Sequence, residues 1–176
     1  MTGDFLITKE FLKELSPCTD GYRWFCEAYP DGGKYQEVLD NLCEIDRFDD
    51  AFWLLRKVGA TDDVLELDSI DDKEKNICFA GTIRASKYLI LKNIKAGGYI
   101  EAGWSIKAGE YIEAGWSIEA GEYIEAGGYI EAGEDYGVYA GLRVRISDMK
   151  EKGYIKAHEN PKNLMCGYWE GGGYEG

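Results

Sequence analysis

The chain has 176 residues, enough for one ordinary domain or two small ones, and its 45% hydrophobic content allows a packed core. Its net charge of −13 argues against binding nucleic acid through the phosphates, which requires a basic surface, and favours either basic partners or simple solubility. The five cysteines are odd in number and lack metal-site spacing, which predicts reduced thiols in the cytoplasm. The first ten residues do not resemble a signal peptide, and no apolar stretch is long enough to span a membrane.

Residues 1–62 are predicted to form a small helical head. Thr8 precedes an amphipathic segment and is expected to cap a first helix. An aromatic segment predicts a second helix, residues 35–42 predict a third, and Asp46 is expected to cap a fourth that ends near Gly59. The large aromatic residues are expected to form the packed core of this bundle: Trp24, Phe25, Phe52 and Trp53.

Residues 63–170 are predicted to form a β-solenoid with a closing cap at its C-terminal end, followed by a flexible tail, residues 171–176. Seven hexads of the form Ile-(Glu/Lys)-Ala-Gly-x-x run from Ile94 to Asp135 without a slip. A strict short repeat predicts equivalent units that stack on each other, and a glycine in every unit argues against a helix. Isoleucine and alanine are expected to face the core, and the charged residue between them to face outward. The predicted fold class is therefore α+β, a helical head followed by a hexapeptide-repeat β-solenoid.

Degenerate units extend the repeat in both directions. Ile77 and Ile83 begin two irregular hexads, and a five-residue unit at Leu89 restores the phase of the regular series. After a two-residue insertion the pattern returns, and Val144 and Ile155 are expected to continue it. The solenoid is therefore predicted to be longer than its regular part.

The number of residues in one turn is open between 12 and 18. Three hexads per turn would give the coil of the hexapeptide acyltransferases, which favours a small residue two places before the aliphatic one. Here that position holds Trp104, Trp116 and several glutamates. We therefore favour turns of two hexads with two facing sheets, which would align the two tryptophans in one column.

Two outward sets of side chains are candidates for binding. Strands about 4.8 Å apart would place the glutamates in rows, and the like charges in a row destabilise the fold. The rows are therefore explained either by binding of a basic partner, or by solubility together with the copying of the repeat. The aromatic residues would form a flat apolar face. The acidic set is Glu101, Glu110, Glu113, Glu119, Glu122, Glu125, Glu131, Glu134 and Asp135. The aromatic set is Trp104, Trp116, Tyr99, Tyr111 and Tyr123.

The residue content argues against an enzyme. His158 is the only histidine and lies in a polar stretch, so a site built on two histidines cannot form. The chain has neither a nucleophile elbow nor a phosphate-binding loop. Carboxylates in a repeat are equivalent, whereas acid–base catalysis needs two carboxylates in unlike environments. We expect no catalytic residue, no cofactor and no metal.

The head pattern and the hexads together resemble a family of bacterial and phage proteins that has no established activity. The family pattern is Cys-x-x-Gly…Trp-Phe…Pro-x-Gly-Gly…Tyr-x-Glu-Val, followed by Ile-x-Ala-Gly-x-x repeats. Its residues here are Cys18, Gly21, Trp24, Phe25, Pro30, Gly32, Gly33, Tyr35, Glu37 and Val38. The resemblance also includes residues 160–167, expected to close the coil, and it implies a bacterial host cell. More loosely, the acidic coil is similar to pentapeptide-repeat proteins that imitate duplex DNA, which is an analogy of design.

Two functions follow as expectations. The first is an acidic inhibitor of a phage or mobile element that mimics nucleic acid and blocks a host defence protein, of the anti-CRISPR or anti-restriction type. Its partner would be a basic nucleic-acid-binding protein of the host cytoplasm, with no direct contact to nucleic acid or membrane. The alternative is a non-enzymatic structural or adaptor protein. It would use the solenoid as a spacer or homo-oligomer face and the head to bind a protein.

Overall fold

The fold is that of a computed structural model, which describes residues 2–171. It confirms the predicted class, because a small helical head precedes a parallel β-solenoid. The predicted flexible tail lies outside the described residues, except for Gly171. The head contains α1 (Lys9–Glu14), α2 (Thr19–Ala28), α3 (Tyr35–Glu44) and α4 (Phe48–Val58), with an antiparallel pair of short strands, β1 (Leu6–Ile7) and β2 (Gly33–Lys34).

Local signals explain most of the helix ends. Thr8 Oγ1 accepts a hydrogen bond from the Phe11 N–H at 3.2 Å, which confirms the predicted cap of α1. Gly59 follows α4 with a φ of 94°, a backbone conformation that favours glycine. The prediction that Asp46 caps α4 is wrong, because Arg47 occupies the cap position and makes no side-chain cap bond. Asp46 instead accepts a hydrogen bond from Lys92 Nζ at 3.0 Å, which ties the head to the solenoid.

The solenoid has three faces, each a stack of parallel strands. Face A consists of β3 (Val64–Leu67), β5 (Thr82–Ala85), β7 (Ile100–Ala102), β10 (Ile118–Ala120), β13 (Val138–Tyr139) and β15 (Leu164–Cys166). Faces B and C share two long strands that run along both, β4 (Ile70–Phe79) and β6 (Leu89–Ala96). Face B continues with β8 (Ile106–Ala108), β11 (Ile124–Ala126), β14 (Tyr154–Lys156) and β16 (Tyr168–Trp169). Face C continues with β9 (Ile112–Ala114) and β12 (Ile130–Glu131).

One regular turn contains three hexads, so the preference for turns of 12 residues is wrong. Ile118 aligns with Ile100, and Ile130 aligns with Ile112, each 18 residues apart. The five-residue unit at Leu89 shortens its turn by one residue, as its register with β8 shows. Three strands per turn explain why the solenoid has three faces instead of two.

The fourth hexad position is the one at which the close approach of successive turns limits the size of the side chain. A Cβ atom on Gly115 would clash with the carbonyl oxygen of Gly97 one turn earlier, and one on Gly121 would clash with that of Gly103. These glycines are required by the close approach of successive turns. The fifth position points out of the corner, where Trp104 is 46% exposed. Bulky residues at that position are therefore compatible with three hexads per turn.

Columns of aliphatic side chains fill the inside of the solenoid. Every isoleucine from Ile83 to Ile124 that begins a hexad is fully buried, and the alanines two places later are nearly so. The inward direction predicted for these two hexad positions is thus confirmed. The burial of this repeated aliphatic set is the main force that holds the turns together.

The C-terminal turns are less regular than predicted. Val144 does not begin a strand, because it lies in a loop before a 3₁₀ turn (Ile146–Asp148) and α5 (Met149–Lys152). Ile155 returns to the core of face B and aligns with Ile124, as the repeat predicted. Among the described residues, no helix has the length and apolar content needed to cross a membrane.

The head is attached along face C at the first turns of the solenoid. Gln36 of α3 donates from Nε2 to the Cys78 carbonyl at 3.0 Å, and its Oε1 accepts from the Ala80 N–H at 2.9 Å. Cys78 and Ala80 are buried in the hydrophobic core of the head. Phe52 of α4 covers Lys95 of β6, whose Nζ lies 3.5 Å from the ring centroid. The core of the head therefore continues onto the outer surface of face C.

Candidate partner-binding cleft in the helical head

The 18-residue turn places the predicted acidic residues on different faces. Glu101 and Glu119 stack on face A, Glu125 lies on face B, and Glu113 and Glu131 lie on face C. The others occupy corners or loops between strands: Glu110, Glu122, Glu134 and Asp135. The expectation that the glutamates between isoleucine and alanine share common rows holds only for pairs three hexads apart.

Three of these glutamates are paired with a basic residue one turn earlier: Arg84 with Glu101, Lys95 with Glu113, and Lys107 with Glu125. Arg84 Nε lies 2.8 Å from Glu101 Oε2 at the surface of face A. Glu113 is only 8% exposed, because the head covers it. Each face of the solenoid therefore carries one neutralised glutamate of the predicted acidic set.

The environments of Glu119 and of the paired Glu125 shift their pKa values in opposite directions. Burial raises the pKa of Glu119, and the negative charge of Glu101 on the adjacent strand adds to the shift. Burial also acts to raise the pKa of Glu125, but hydrogen bonds from Lys107 and Tyr154 outweigh it, and the net shift is downward. The two glutamates therefore have opposite effects on stability at neutral pH.

The predicted aromatic residues do not form one flat face. They pack in pairs between turns, at three different corners. The pairs are Tyr99 on Trp116 with ring centroids 4.8 Å apart, Trp104 on Tyr88 at 6.2 Å, Tyr111 on Tyr129 at 4.6 Å and Tyr123 on Tyr154 at 5.0 Å. These contacts stabilise the corners of the coil, so much of the aromatic surface contributes to the fold.

The head contains an apolar cleft that sequence reasoning did not locate. Helices α1, α2, α3 and α4 surround a cavity of about 180 Å³ that opens to solvent. The floor is made of buried side chains from all four helices: Leu12, Phe25, Val38, Leu42 and Leu54. The half-buried rings of Trp24 and Trp53 also line it, with Pro17, Cys18, Gly21 and Asp50.

The cleft corrects the prediction that four aromatic residues form the core of the head. Phe25 is buried as expected, at 1% exposure. Trp24 and Trp53 keep part of their rings in the cleft, and Phe52 packs against the solenoid. The pattern of aromatic residues in α2 and α4 was a correct signal for packing, but it did not show that the packing leaves an opening.

Arg47 fixes the position of the Trp24 ring. Its Nε donates to Asp50 Oδ2 at 2.6 Å and its Nη2 donates to Asp20 Oδ2 at 2.9 Å, so it links the start of α4 to α2. Its guanidinium carbon lies 5.6 Å from the centroid of the Trp24 ring. Tyr29 supports the same ring by an edge-to-face contact at 5.9 Å. The wall of the cleft is therefore held in place before any ligand binds.

A narrow approach between α2 and α4 shapes the mouth of the cleft. Cys18 Sγ accepts a hydrogen bond from the Gly21 N–H at 3.2 Å and caps α2. A Cβ atom on Gly21 would lie 3.2 Å from that sulfur and 3.6 Å from Asp50 Oδ1. The absence of a side chain at Gly21 thus keeps this side of the mouth open. The thiol of Cys18 is exposed to solvent there.

The cleft has the size for one apolar side chain or one small ring. An engineered apolar cavity of about 150 Å³ binds benzene, and about 180 Å³ is slightly larger. An adjoining groove of about 460 Å³ shares Cys18 and Asp50 with the mouth. Its charged residues are mainly acidic, Asp20, Asp46, Asp49, Asp50 and Glu110 against Arg47 and Lys92. The surroundings therefore favour an apolar group next to positive charge.

These features define a class of protein in which a helical head with an apolar cleft is fixed to the side of a parallel β-solenoid. Residues 1–60 match the family described as the YdhT N-terminal domain. The match covers 60 of the 176 residues and includes every residue that lines the cleft. No curated protein and no solved structure matches the chain. The repeat type and the phage setting implied by the resemblance stay predictions.

Proposed function

We propose that this protein is a non-enzymatic adaptor whose head binds a protein partner and whose solenoid holds the head as a spacer. The observation that carries the proposal is the preformed apolar cleft of about 180 Å³ lined by Trp24 and Trp53. A few buried aromatic or aliphatic anchors in such pockets supply most of the binding energy of protein interfaces. The partner would insert one apolar side chain into the cleft.

The charge around the cleft selects the flanking residues of the partner. Arg47 is already engaged by Asp20 and Asp50, and Lys92 by Asp46. Asp49 and Glu110 add negative charge to the adjoining groove. A partner segment with Lys or Arg beside its apolar residue would therefore bind faster and more selectively than an acidic one.

Nucleic-acid mimicry stays a prediction and has less geometric support. A mimic of duplex DNA would present unneutralised negative charges at close, regular spacing along its axis. Here Arg84, Lys95 and Lys107 each neutralise one glutamate, on three different faces. This pairing favours the adaptor function over mimicry.

Three immobilised proteins separate the two functions. The first is the unmodified chain, the second carries W53A in the cleft, and the third carries Gln in place of Glu119, Glu122, Glu131 and Glu134. An adaptor captures the same bacterial protein on the first and third but not on the second. Its capture survives about 1 M salt, where charges are screened beyond about 3 Å. Capture that is lost on the third protein, kept on the second and released by moderate salt would instead establish mimicry.

A chemical block of the cleft controls for misfolding of W53A. Cys18 lies at the mouth and is exposed, so a bulky methanethiosulfonate reagent attaches there and a reductant removes it. The adaptor function requires that the partner is lost on labelling and recovered on reduction. The C18S variant keeps a capping hydroxyl and shows no effect of the reagent. Partner binding that persists on the labelled protein would contradict the role of the cleft.

A further inference from the structure

Within residues 2–171, both ends of the solenoid have strands with an unpaired edge. On face A, β3 has a neighbouring described strand only on the side of β5, and β15 only on the side of β13. On face B, β16 likewise has a neighbour only on the side of β14. All strands of the three faces run parallel, so the outer edge of the last turn can pair with the outer edge of a first turn as adjacent strands pair within the solenoid. Open edges of this kind are templates for pairing with another chain.

Among the described residues, the aliphatic columns of the core end at both ends in partly buried side chains. On face A the column runs from Leu65 to Leu164. On face B it runs from Ile70 to Trp169. All four of these terminal residues are only partly buried. At the first turn they lie at a cavity of about 690 Å³ whose floor includes Ile77 as well as Leu65 and Ile70.

The two ends carry opposite charge. Residues 61–76, which build the first turn, contain seven acidic residues and two lysines. Glu66 and Asp68 of these pair with Arg84 and Lys87 of the next turn. Asp40 and Glu44 of the head add to the acidic rim of the cavity there, whereas Asp46 is paired with Lys92. Residues 142–162, around the last turn, contain six basic and three acidic residues. Identical ends would repel each other, whereas the first turn of one copy attracts the last turn of another.

Face C is covered near both ends of the solenoid. Faces A and B each contain six strands, whereas β12 is the last strand of face C among the described residues. Beyond β12, residues 157–163 cross this face as a loop, whose His158 N–H donates to the Gly128 carbonyl at 2.7 Å. A groove of about 540 Å³ lies between this loop and Tyr129 and Glu131. At the opposite end, α3 lies against the outer edge of β4 on the same face, held by Gln36.

We propose that copies of this chain stack head to tail, with the last turn of one solenoid on the first turn of the next. β15 pairs with β3 of the second copy, Leu164 continues the column that begins at Leu65, and Trp169 covers Ile70. Because the two contacting surfaces differ, the contact does not close into a dimer, and it propagates into an open filament unless something stops it. The end cavity and the head cleft share no lining residue, so stacking does not use the partner-binding cleft.

Paired charge reversals in the full chain test this arrangement. D71K/D72K/E74K makes residues 61–76 net basic, and K150E/K152E makes residues 142–162 net acidic; all five residues are exposed. Analytical ultracentrifugation of the unmodified chain at low salt shows an average mass that rises with concentration beyond two chains. Either variant alone associates at least about 100-fold more weakly, because like charges then face each other. Mixing the two variants restores association, since each end again meets an end of opposite charge.

Circular dichroism of both variants confirms that loss of association is not loss of fold. A chain that stays monomeric at low salt up to near-millimolar concentration overturns the proposal. So does a closed dimer that survives one of the two reversals, because that result identifies contact between identical ends. A mixture that does not associate also overturns it. Partner binding by the cleft is measured separately at high dilution, so failure of either proposal leaves the other intact.

Discussion

Lys95 and Glu113 form an ion pair on adjacent strands of face C, and helix α4 covers both. The side chain of Lys95 is 5% exposed and that of Glu113 is 10% exposed. The Phe52 ring covers the Lys95 ammonium group, and Arg56 Nη2 lies 3.4 Å from Glu113 Oε1. This pair joins the head to the solenoid in a region that excludes most water. The same hexad position therefore holds a buried ion pair on face C and an exposed one on face B.

Removing Lys95 should destabilise the protein strongly. K95M leaves the Glu113 carboxylate buried with Arg56 as its charged partner and the Tyr129 hydroxyl at 3.5 Å, and we expect a loss of about 3–5 kcal/mol in the free energy of unfolding. The matched control is K107M, whose side chain is 47% exposed and pairs with Glu125 in the same way. For K107M we expect a loss of about 0–1 kcal/mol in the free energy of unfolding. Urea unfolding measures both, and equal losses would show that the head does not seal the pair.

Glycines at the fourth hexad position should differ in their tolerance of alanine. G115A places a Cβ against the Gly97 carbonyl oxygen, so the turns must separate, and we expect a loss of more than about 3 kcal/mol. At Gly109 the nearest atom is Lys92 O, 3.6 Å from the added Cβ. G109A should therefore be neutral or stabilise by about 0.5 kcal/mol, because alanine restricts the unfolded chain. Thermal unfolding compares the two, and a destabilised G109A would contradict this account.

Two glutamates should change the pH dependence of stability in opposite directions. The folded state raises the pKa of Glu119, so its contribution falls as pH rises above 4.5, its ordinary value. E119Q should therefore stabilise at neutral pH. The folded state lowers the pKa of Glu125, so its contribution is present above pH 4.5 and is lost as pH falls through the lowered pKa. E125Q should therefore destabilise at neutral pH.

Urea unfolding of these two variants across the acidic range measures both differences from the unmodified chain. Both differences should shrink as the pH approaches the point where each carboxyl is protonated in the folded state. Parallel curves for the two variants would contradict the opposite effects on stability assigned to the burial of Glu119 and to the hydrogen bonds that Glu125 accepts from Lys107 and Tyr154.

Gln36 should protect the edge of β4. Q36L leaves the Cys78 carbonyl and the Ala80 N–H without their side-chain partner beneath the head, and we expect a loss of about 1–3 kcal/mol. The Ala80 amide should exchange its hydrogen faster with solvent in this variant. Q36E is the control, because it keeps an acceptor for the Ala80 N–H. Unchanged exchange at Ala80 in Q36L would show that α3 alone shields the edge.

The hexad period predicted the fold class and the inward direction of isoleucine and alanine. It did not predict the turn length, because a repeat shows which units are equivalent but not how many of them close one turn. That number depends on contacts between turns, such as the close approach of Gly115 to Gly97, which are not visible within one unit. The bulky Trp104 wrongly favoured turns of 12 residues, because its position lies outside the packed interior.

The candidate site was harder to predict for the same reason. Trp24 and Trp53 lie on different helices, and the opening between them depends on how Arg47 holds α2 against α4. The sequence contained one signal that pointed to this region. Cys18, Gly21, Trp24 and Phe25 of the family pattern all line the cleft. Asp46 shows the limit of local rules, because its long-range contact with Lys92 replaces the helix cap that its position predicted.

The three-hexad turn restricts how this gene can change in length. Inserting or deleting a single hexad would rotate every later residue by one third of a turn, onto the next face. For a hexad inserted between them, Glu125 would leave the face of Lys107, and Tyr129 would leave the corner of Tyr111. A gain or loss of three hexads instead keeps every later residue on its own face and changes only the number of turns. Viable length variants of the regular tract should therefore differ by whole turns, which makes its length quantised.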